Sequence, residues 1–284
     1  MERSTVSLIT VVMNGGAAFE RAAESVFAQT YEPIDYIIID GGSSDGTIDI
    51  IKSHADRLAY WISEPDRGIS HAFNKGVAAA TGTYVGIVNA DDWLEPDQIE
   101  KAVLALEREE ADFIFGDLAY HSPDGALLHV MRGDPDYASV IKSRMPALNH
   151  PTMLAKRTLF DLIGSFDERY QIAMDYDWVL RAHLAGRLGS YAPGLLGHMT
   201  LDGVSDRRFI DGLAEVGRIA QHHGQSRAKA WPLFGFRVAK GMAQRLLHRH
   251  APAHLYDSLR RWVNPQYQKA PEDASIPSRL GPPR

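Results

Sequence analysis

Apolar and polar positions along the first hundred residues fall into blocks of two kinds. "VSLITVVM" (6–13) is a run of apolar and β-branched residues and predicts a strand. Over 17–29 the apolar positions recur at helical spacing, with Phe19, Ala22, Ala23, Val26 and Phe27 on one side. "IDYIIID" (34–40) predicts a second strand that ends in the turn cluster "GGSSDG" (41–46). A helix over 47–54, a short strand over 58–63, the loop "EPDRG", a helix over 69–79 and a strand over 84–88 follow. Strands and helices alternating at these lengths predict a parallel sheet covered on both faces. The near-continuous apolar strands agree, because a parallel strand is buried on both sides.

The pattern then loosens. It predicts a helix over 96–109, a strand over 112–116 and a hairpin around "SPDG" (122–125). A strand, a helix and a loop share 147–170; a helix over 176–186 and a strand region over 189–199 come next. Helices over 206–223 and about 233–249 close the pattern, and the Pro-rich stretch 271–284 is expected to be disordered. No internal repeat is visible. A chain of 284 residues suits one large domain or two small ones.

Composition narrows the chemistry. The chain has no cysteine, which excludes disulfides and thiolate zinc sites. The N-terminus reads as a strand rather than a signal peptide, and no apolar run approaches the ~20 residues of a membrane helix. A cytoplasmic protein is expected. The net charge of −6 hides an asymmetry: residues 226–262 carry eight Lys/Arg against one acid, a local +7 that leaves −13 for the remainder. A basic arm on an acidic body points to a polyanionic partner, first of all the inner face of an anionic membrane.

In a parallel sheet, ligands bind beyond the C-terminal strand ends. The polar residues there are Asn14, Asp40, Glu64 with Asp66, and the adjacent pair Asp91–Asp92 in "VNADDW". The Gly-rich turn after the second strand is not a dinucleotide fingerprint, which belongs after the first, where the chain reads "MNGGAAF". Asp45 suits a cap on helix 47–54. The acidic pair has three readings. A helix cap is better served by "Glu95-Pro96-Asp97". An acid/base couple needs carboxylates across a substrate, not chain neighbours. Mg²⁺ or Mn²⁺ fits best, since such an ion keeps waters, borrows phosphate oxygens and needs only one or two carboxylates.

The segments "TVVMN", "QTYEPIDYIIIDGGSSDGT", "SEPDRGISHAFNKGVAAATGTYVGIVNADDW", "GSFDERY" and "AMDYDWVLR" occur in this order. As a set, over Ser4 to Ser205, they resemble glycosyltransferase family 2, most of all its bacterial polysaccharide and glycolipid members. The resemblance implies an α/β fold of GT-A type: a mixed, mostly parallel Rossmann-like sheet flanked by helices. Its nucleotide-binding half would be 1–95 and its acceptor half 96–205, with a helical region over 206–264 and a disordered tail over 265–284. It implies metal-dependent, inverting transfer from a nucleotide-diphospho-sugar, with UDP expected, to a hydroxyl of a glycan or lipid-linked acceptor, and no nucleic-acid partner.

The same resemblance assigns roles. Thr10 and Asn14 begin the nucleotide site, Asp40 reads the base, and Glu64, Asp66, Asn74 and Lys75 line the ribose and diphosphate. Asp91 faces ribose or sugar. Asp92 holds Mn²⁺ or Mg²⁺, with His198 on the metal or the diphosphate. Asp175 is the base, in a motif whose first acid is Met174 here. Residues without such support carry plainer expectations: Asp177 a cap or ion pair, His150 a structural role, Trp93 core packing, Arg67 a local salt bridge or a phosphate contact. Asp117, at a strand end, is a candidate for the acceptor side. Two other classes compete. A nucleotidyltransferase would need a basic, Gly-rich loop after the first strand, where only Arg21 stands. A non-catalytic nucleotide-sugar binder would have no use for Asp175.

Overall fold

The computed structural model describes residues 3–201 and 208–226, with a few positions within 232–241 and 264–269. The expected helix 233–249, the basic arm 226–262 and the 271–284 tail lie largely or wholly outside the described residues. The sequence order is β1 (Val6–Val12), α1 (Gly16–Phe27), β2 (Ile34–Asp40), α2 (Thr47–Ser53), β3 (Tyr60–Ser63), α3 (Ile69–Ala79) and β4 (Tyr84–Ile87). Then come β5 (Asp92–Leu94), α4 (Gln98–Arg108), β6 (Phe113–His121), β7 (Leu127–Met131) and α5 (Tyr137–Val140). The described chain closes with β8 (Leu154–Lys156), α6 (Arg157–Ile163), α7 (Met174–Leu184), β9 (Gly189–Thr200), α8 (Phe209–His222) and β10 (Tyr267–Lys269).

The main sheet runs β10-β7-β6-β8-β4-β1-β2-β3, and β5 joins it through β9, which pairs with β6. The first half is parallel throughout, with β1 between β2 and β4 and β2 beside β3. The second half is mixed: β8 runs antiparallel to β4 and β6, β7 antiparallel to β6, and β9 parallel to β6. Successive side chains of a strand face opposite sides, and the core divides accordingly. Ile9, Ile37, Ile39, Val85 and Ile87 face Phe73 of α3 and Trp178 of α7. Val6, Leu8, Tyr36, Ile38 and Tyr84 face Phe19 of α1 and Ile51 of α2. Each such side chain taken wholly out of water contributes about 1.5–3 kcal/mol, so the apolar strand runs fix this layering.

Strand order reverses at β1. The chain steps outward through β2 and β3, then crosses by α3 to the other side of β1 to form β4. The crevice at such a switch point is where open α/β sheets bind ligands. Here it lies between the loops that follow β1 and β4, and those loops carry Asn14 and Asp91–Asp92.

Three elements depart from the sequence expectation. Asp92 begins a three-residue strand rather than lying in a loop, because Asp92, Trp93 and Leu94 pair with Met199, His198 and Gly197. The strand expected over 112–116 continues to His121, since β9 accompanies it that far. Tyr267–Lys269, placed by sequence in a disordered tail, pairs antiparallel with β7.

Candidate active site

The loops at the crevice are built before any ligand arrives. Asn14 adopts a left-handed backbone with φ 54°. Its N–H donates to Ser43 Oγ at 2.7 Å, and its side-chain oxygen accepts from Ser44 N–H at 2.9 Å. Thr47 Oγ1 accepts from Gly15 and Gly16 N–H at 3.0 and 3.1 Å. The first two loops are thus fastened together. Asp45, expected to cap α2, accepts from Thr47 N–H, the first amide of the helix, at 3.1 Å from one position before the cap residue, which is Gly46.

Asp40 stands at this edge, but its carboxylate faces inward. It is fully buried. Oδ2 accepts from Gly42 N–H, Ser43 N–H and Ser63 Oγ at 3.1, 3.0 and 2.6 Å, and Oδ1 accepts from Ser43 Oγ. A carboxylate with this many internal donors has little capacity left for a base, so its geometry is that of a loop organiser rather than the base reader expected from sequence. Thr10 is corrected in the same way. It is fully buried, donates to Val88 O at 2.8 Å and accepts from Tyr36 Oη at 3.0 Å, so its side chain ties the sheet together instead of meeting a ligand.

Asp66 is placed differently. Oδ1 accepts from Gly68 N–H at 2.7 Å, while Oδ2 reaches to 2.7 Å from the point a Cβ at Gly41 would occupy. A side chain at 41 would have to displace that carboxylate from the sheet edge. Glu64 and Lys75 pair at 2.8 Å, and Arg67 pairs with Glu168 at 2.9 Å, the local salt bridge anticipated for it. Asn74 exchanges two 2.9 Å hydrogen bonds with the backbone of Phe166, which anchors α3 to the 163–173 segment and engages both ends of an amide expected at the ribose or diphosphate.

At the acidic pair, Asp92 is fully buried. Its Oδ2 accepts from Asn89 Nδ2 at 2.7 Å, and its Oδ1 has no hydrogen-bond partner. Burial, reinforced by the neighbouring Asp91 charge, pushes its pKa well above the usual carboxylate value. Burial also raises Asp91, against the pull of Arg21. A buried carboxylate oxygen without a donor is costly, about 1–3 kcal/mol or more for a charged group. It is a fitting ligand for a hard divalent cation. Among the described residues no cluster of three His, Cys, Asp or Glu side chains could hold a metal alone. An all-protein cage is therefore not built here, while an ion that completes its shell with water and phosphate oxygens suits the residues present.

His198 does not join that site. It lies opposite Trp93 across the β5–β9 pair, so it projects from the face opposite to Asp92. Its Nε2 meets Glu95 Oε1 at 2.7 Å and its Nδ1 meets His121 Nε2 at 3.0 Å. Expected at the metal or the diphosphate, His198 has both ring nitrogens engaged on the side away from Asp92. Trp93 stacks on His198 with 5.1 Å between centroids, and the Arg21 guanidinium lies 4.0 Å from the Trp93 ring centroid. The indole is held by a cation and an imidazole rather than packed in the core. Arg21 also donates to Asp91 O at 3.3 Å and to Thr200 Oγ1 at 3.0 Å. Sequence reading gave this resident cation no part in the site, since it lies in a helix far from any basic cluster.

Asp175 sits in the first turn of α7, with Oδ1 accepting from Tyr176 N–H at 2.7 Å. Burial raises its pKa, partly offset by His150; burial lowers His150, partly offset by Asp175. Each thus feels the charge of the other, which sequence did not reveal. Asp177 is a structural residue, as expected: its oxygens accept from Arg181 Nε at 2.8 Å and pair with His223 Nε2 at 2.9 Å. Asp117 accepts from Gly133 N–H and Tyr191 Oη at 3.0 and 2.9 Å, which ties the β6–β9 irregularity to the loop after β7.

Comparison with known proteins agrees with this architecture. Residues 7–163 match the family model described as "Glycosyl transferase family 2". A "PGL/p-HBAD biosynthesis glycosyltransferase" of Mycobacterium bovis is 29% identical over 180 residues, covering 62% of this chain and 68% of the relative. An uncharacterized glycosyltransferase of Mycobacterium tuberculosis is 33% identical over 184 residues, covering 63% and 69%. Among solved structures, the mannosyltransferase PcManGT of Pyrobaculum calidifontis, in complex with GDP-Man and Mn²⁺, superposes with a TM-score of 0.62 at 20% identity, covering 94% of this chain and 85% of that one. TarS of S. aureus bound to UDP-GlcNAc gives 0.56 at 16% identity, covering 80% and 69%; of the longer TarS chain, this protein spans 41%. The matched strands and loops are those that build the crevice, and the chain belongs to glycosyl transferase family 2.

Proposed function

We propose that this glycosyltransferase moves a sugar from a nucleotide-diphospho-sugar to a hydroxyl of a glycan or glycolipid acceptor, with inversion at the anomeric carbon. One observation carries the reading of the donor site: at the switch-point crevice, Asp92 is buried with one carboxylate oxygen unpartnered. Asp92, with Asp91 beside it, would hold Mg²⁺ or Mn²⁺. Such an ion neutralises charge growing on the leaving diphosphate. The acceptor oxygen bonds to C1 of the sugar as the bond from C1 to the phosphate oxygen breaks, and the electron pair leaves with the nucleoside diphosphate. Asp175 takes the acceptor proton; burial raises its proton affinity above that of an ordinary carboxylate, which favours a base. Asp66, at the Gly41 edge, is the carboxylate placed to accept from a base N–H, in preference to Asp40. A UDP-sugar is the donor we favour; neighbours of the same fold have been solved with UDP-GlcNAc and with GDP-Man.

Asp175→Asn should lower kcat by about 10²–10⁴ with the fold intact; near-normal turnover would remove Asp175 from the role. A panel of UDP-, GDP- and dTDP-sugars, read by metal-dependent thermal shift, tests the donor. A shift with GDP-sugars alone would overturn the uracil reading. No helix among the described residues is long and apolar enough to cross a membrane. We place the enzyme at the inner face of an anionic membrane through its basic 226–262 arm. Equal co-sedimentation with neutral and anionic vesicles at low salt would refute that.

A further inference from the structure

The segment just before α7 is held from another part of the chain. Glu215, on α8, is buried, with 4% of its surface exposed. Its Oε2 accepts from Ile172 and Ala173 N–H, both at 2.8 Å, and from Gln171 N–H at 3.1 Å; its Oε1 accepts from Gln171 N–H at 2.9 Å. The helix itself starts at Met174, and Ala173, its cap residue, has no side chain able to accept a hydrogen bond. Backbone N–H groups at a helix start need partners from outside, and a negative charge there is favoured by the helix dipole. Glu215 supplies both. Closeness is built in: a Cβ at Gly212, one turn earlier on α8, would lie 3.0 Å from Ile172 Cγ2.

Two residues past this cap stands Asp175. We infer that Glu215 is a positioning residue for Asp175, so that α8, outside the matched family segment, completes the catalytic unit. This rests on the assignment of Asp175 as the base. The cap sets the height and rotation of the first turn of α7, and with them the carboxylate that must meet the acceptor hydroxyl. Other hydrogen bonds from α3 and α7 hold its earlier part: Asn74 exchanges two with the Phe166 backbone, Ser70 Oγ donates to Tyr170 O, and Arg181 donates to the carbonyls of Ile163, Gly164 and Ser165. The backbone N–H groups of Gln171, Ile172 and Ala173 are held by Glu215.

Charge adds a second signature. Asp175 feels the charges of His150, from the turn before β8, and to a lesser extent of Glu215, from α8; Asp177 on its own helix is paired with Arg181 and His223, and Arg218 lies 3.8 Å from Glu215. The Glu215 charge reinforces burial in keeping a proton on Asp175. Two variants separate reach from charge. Glu215→Asp keeps the charge but is one methylene short of three N–H groups. It should lower kcat by about 10- to 10²-fold, the scale of a ~1 Å misplacement, with donor KM and the acid limb of the pH profile unchanged. Glu215→Gln removes the charge and should move that acid limb to lower pH, which loss of packing alone would not do. In the wild-type protein, the Ile172 and Ala173 amides should exchange hydrogen as slowly as those inside α7, though they precede the helix. Fast exchange at both amides would overturn the inference even if the variants do not fold. So would wild-type kcat and pH profile in both variants while Asp175→Asn is inactive. An active Asp175→Asn would instead overturn the base assignment.

Discussion

Asp92→Asn should make the metal-free protein more stable while removing its response to the metal. The carboxylate is fully buried, one oxygen has no donor, and Asp91 is next to it. These surroundings raise its pKa in the folded chain above that of an unfolded aspartate. The folded state therefore keeps its proton to higher pH than the unfolded state does. Stability from this group is complete below the unfolded pKa of about 3.9 and is lost as pH rises through the folded value. An amide has the same size and can still accept from Asn89, but it carries no charge. At pH 8 without metal, the gain should approach the ~1–3 kcal/mol cost of an unsatisfied buried charged group. At about 2–4 °C per kcal/mol for a chain somewhat smaller than this one, the melting temperature rises by several degrees. Near pH 4 the difference should shrink, because wild-type Asp92 is then protonated in the folded state. With UDP and Mn²⁺ the order reverses: an ion that binds only the folded state stabilises it by about 2.7 kcal/mol at a hundred times its Kd, and the variant lacks the ligand. Differential scanning fluorimetry at both pH values, with chelator and with Mn²⁺ plus UDP, reads all of this. A variant that melts below wild type in chelator at pH 8, or that keeps the full Mn²⁺ shift, refutes the reasoning.

Thr10→Val should cost about 1–3 kcal/mol in urea unfolding, because Val88 O and Tyr36 Oη lose a buried partner; a raised donor KM at unchanged stability would return Thr10 to the ligand site. Asp177→Ala strips Arg181 and His223 of a carboxylate that is 2% exposed. Breaking such a buried pair costs about 3–5 kcal/mol, so a change below about 1 kcal/mol by chemical denaturation would show that the Asp177 pairs do not hold α7 in place.

The donor half of the fold was legible because its signals are local. The strands β1, β2 and β4 are apolar runs long enough to read, and strand order then places Asn14 and Asp91–Asp92 in one crevice. What local pattern does not carry is direction. Asp40 was found at the right edge, but whether its carboxylate turns outward or inward depends on Ser63, one strand away. β5 escaped because three residues have no usable period; it exists by pairing with a strand about a hundred residues later, and that pairing also carries His198 away from Asp92. Glu215 left a faint trace: it shares the buried side of α8 with Val216, Ile219 and Ala220, an acid on an apolar face. Such a residue is rarely buried unless paired, and the sequence cannot name backbone partners over forty residues earlier.

The short strand β10 lies against β7, beside the exposed Leu128. An uncovered strand offers its free N–H and C=O groups to any other chain that meets it. By pairing with Met131, Val130 and His129, Tyr267–Lys269 covers β7 and makes a three-residue strand the border of the sheet in place of a five-residue one, and a very short edge is a poorer template for another chain. The border of the sheet is therefore set by residues about a hundred positions beyond the matched family segment. Shortening the chain before Tyr267 should leave the chemistry of the crevice in place while making the protein stick to itself as concentration rises.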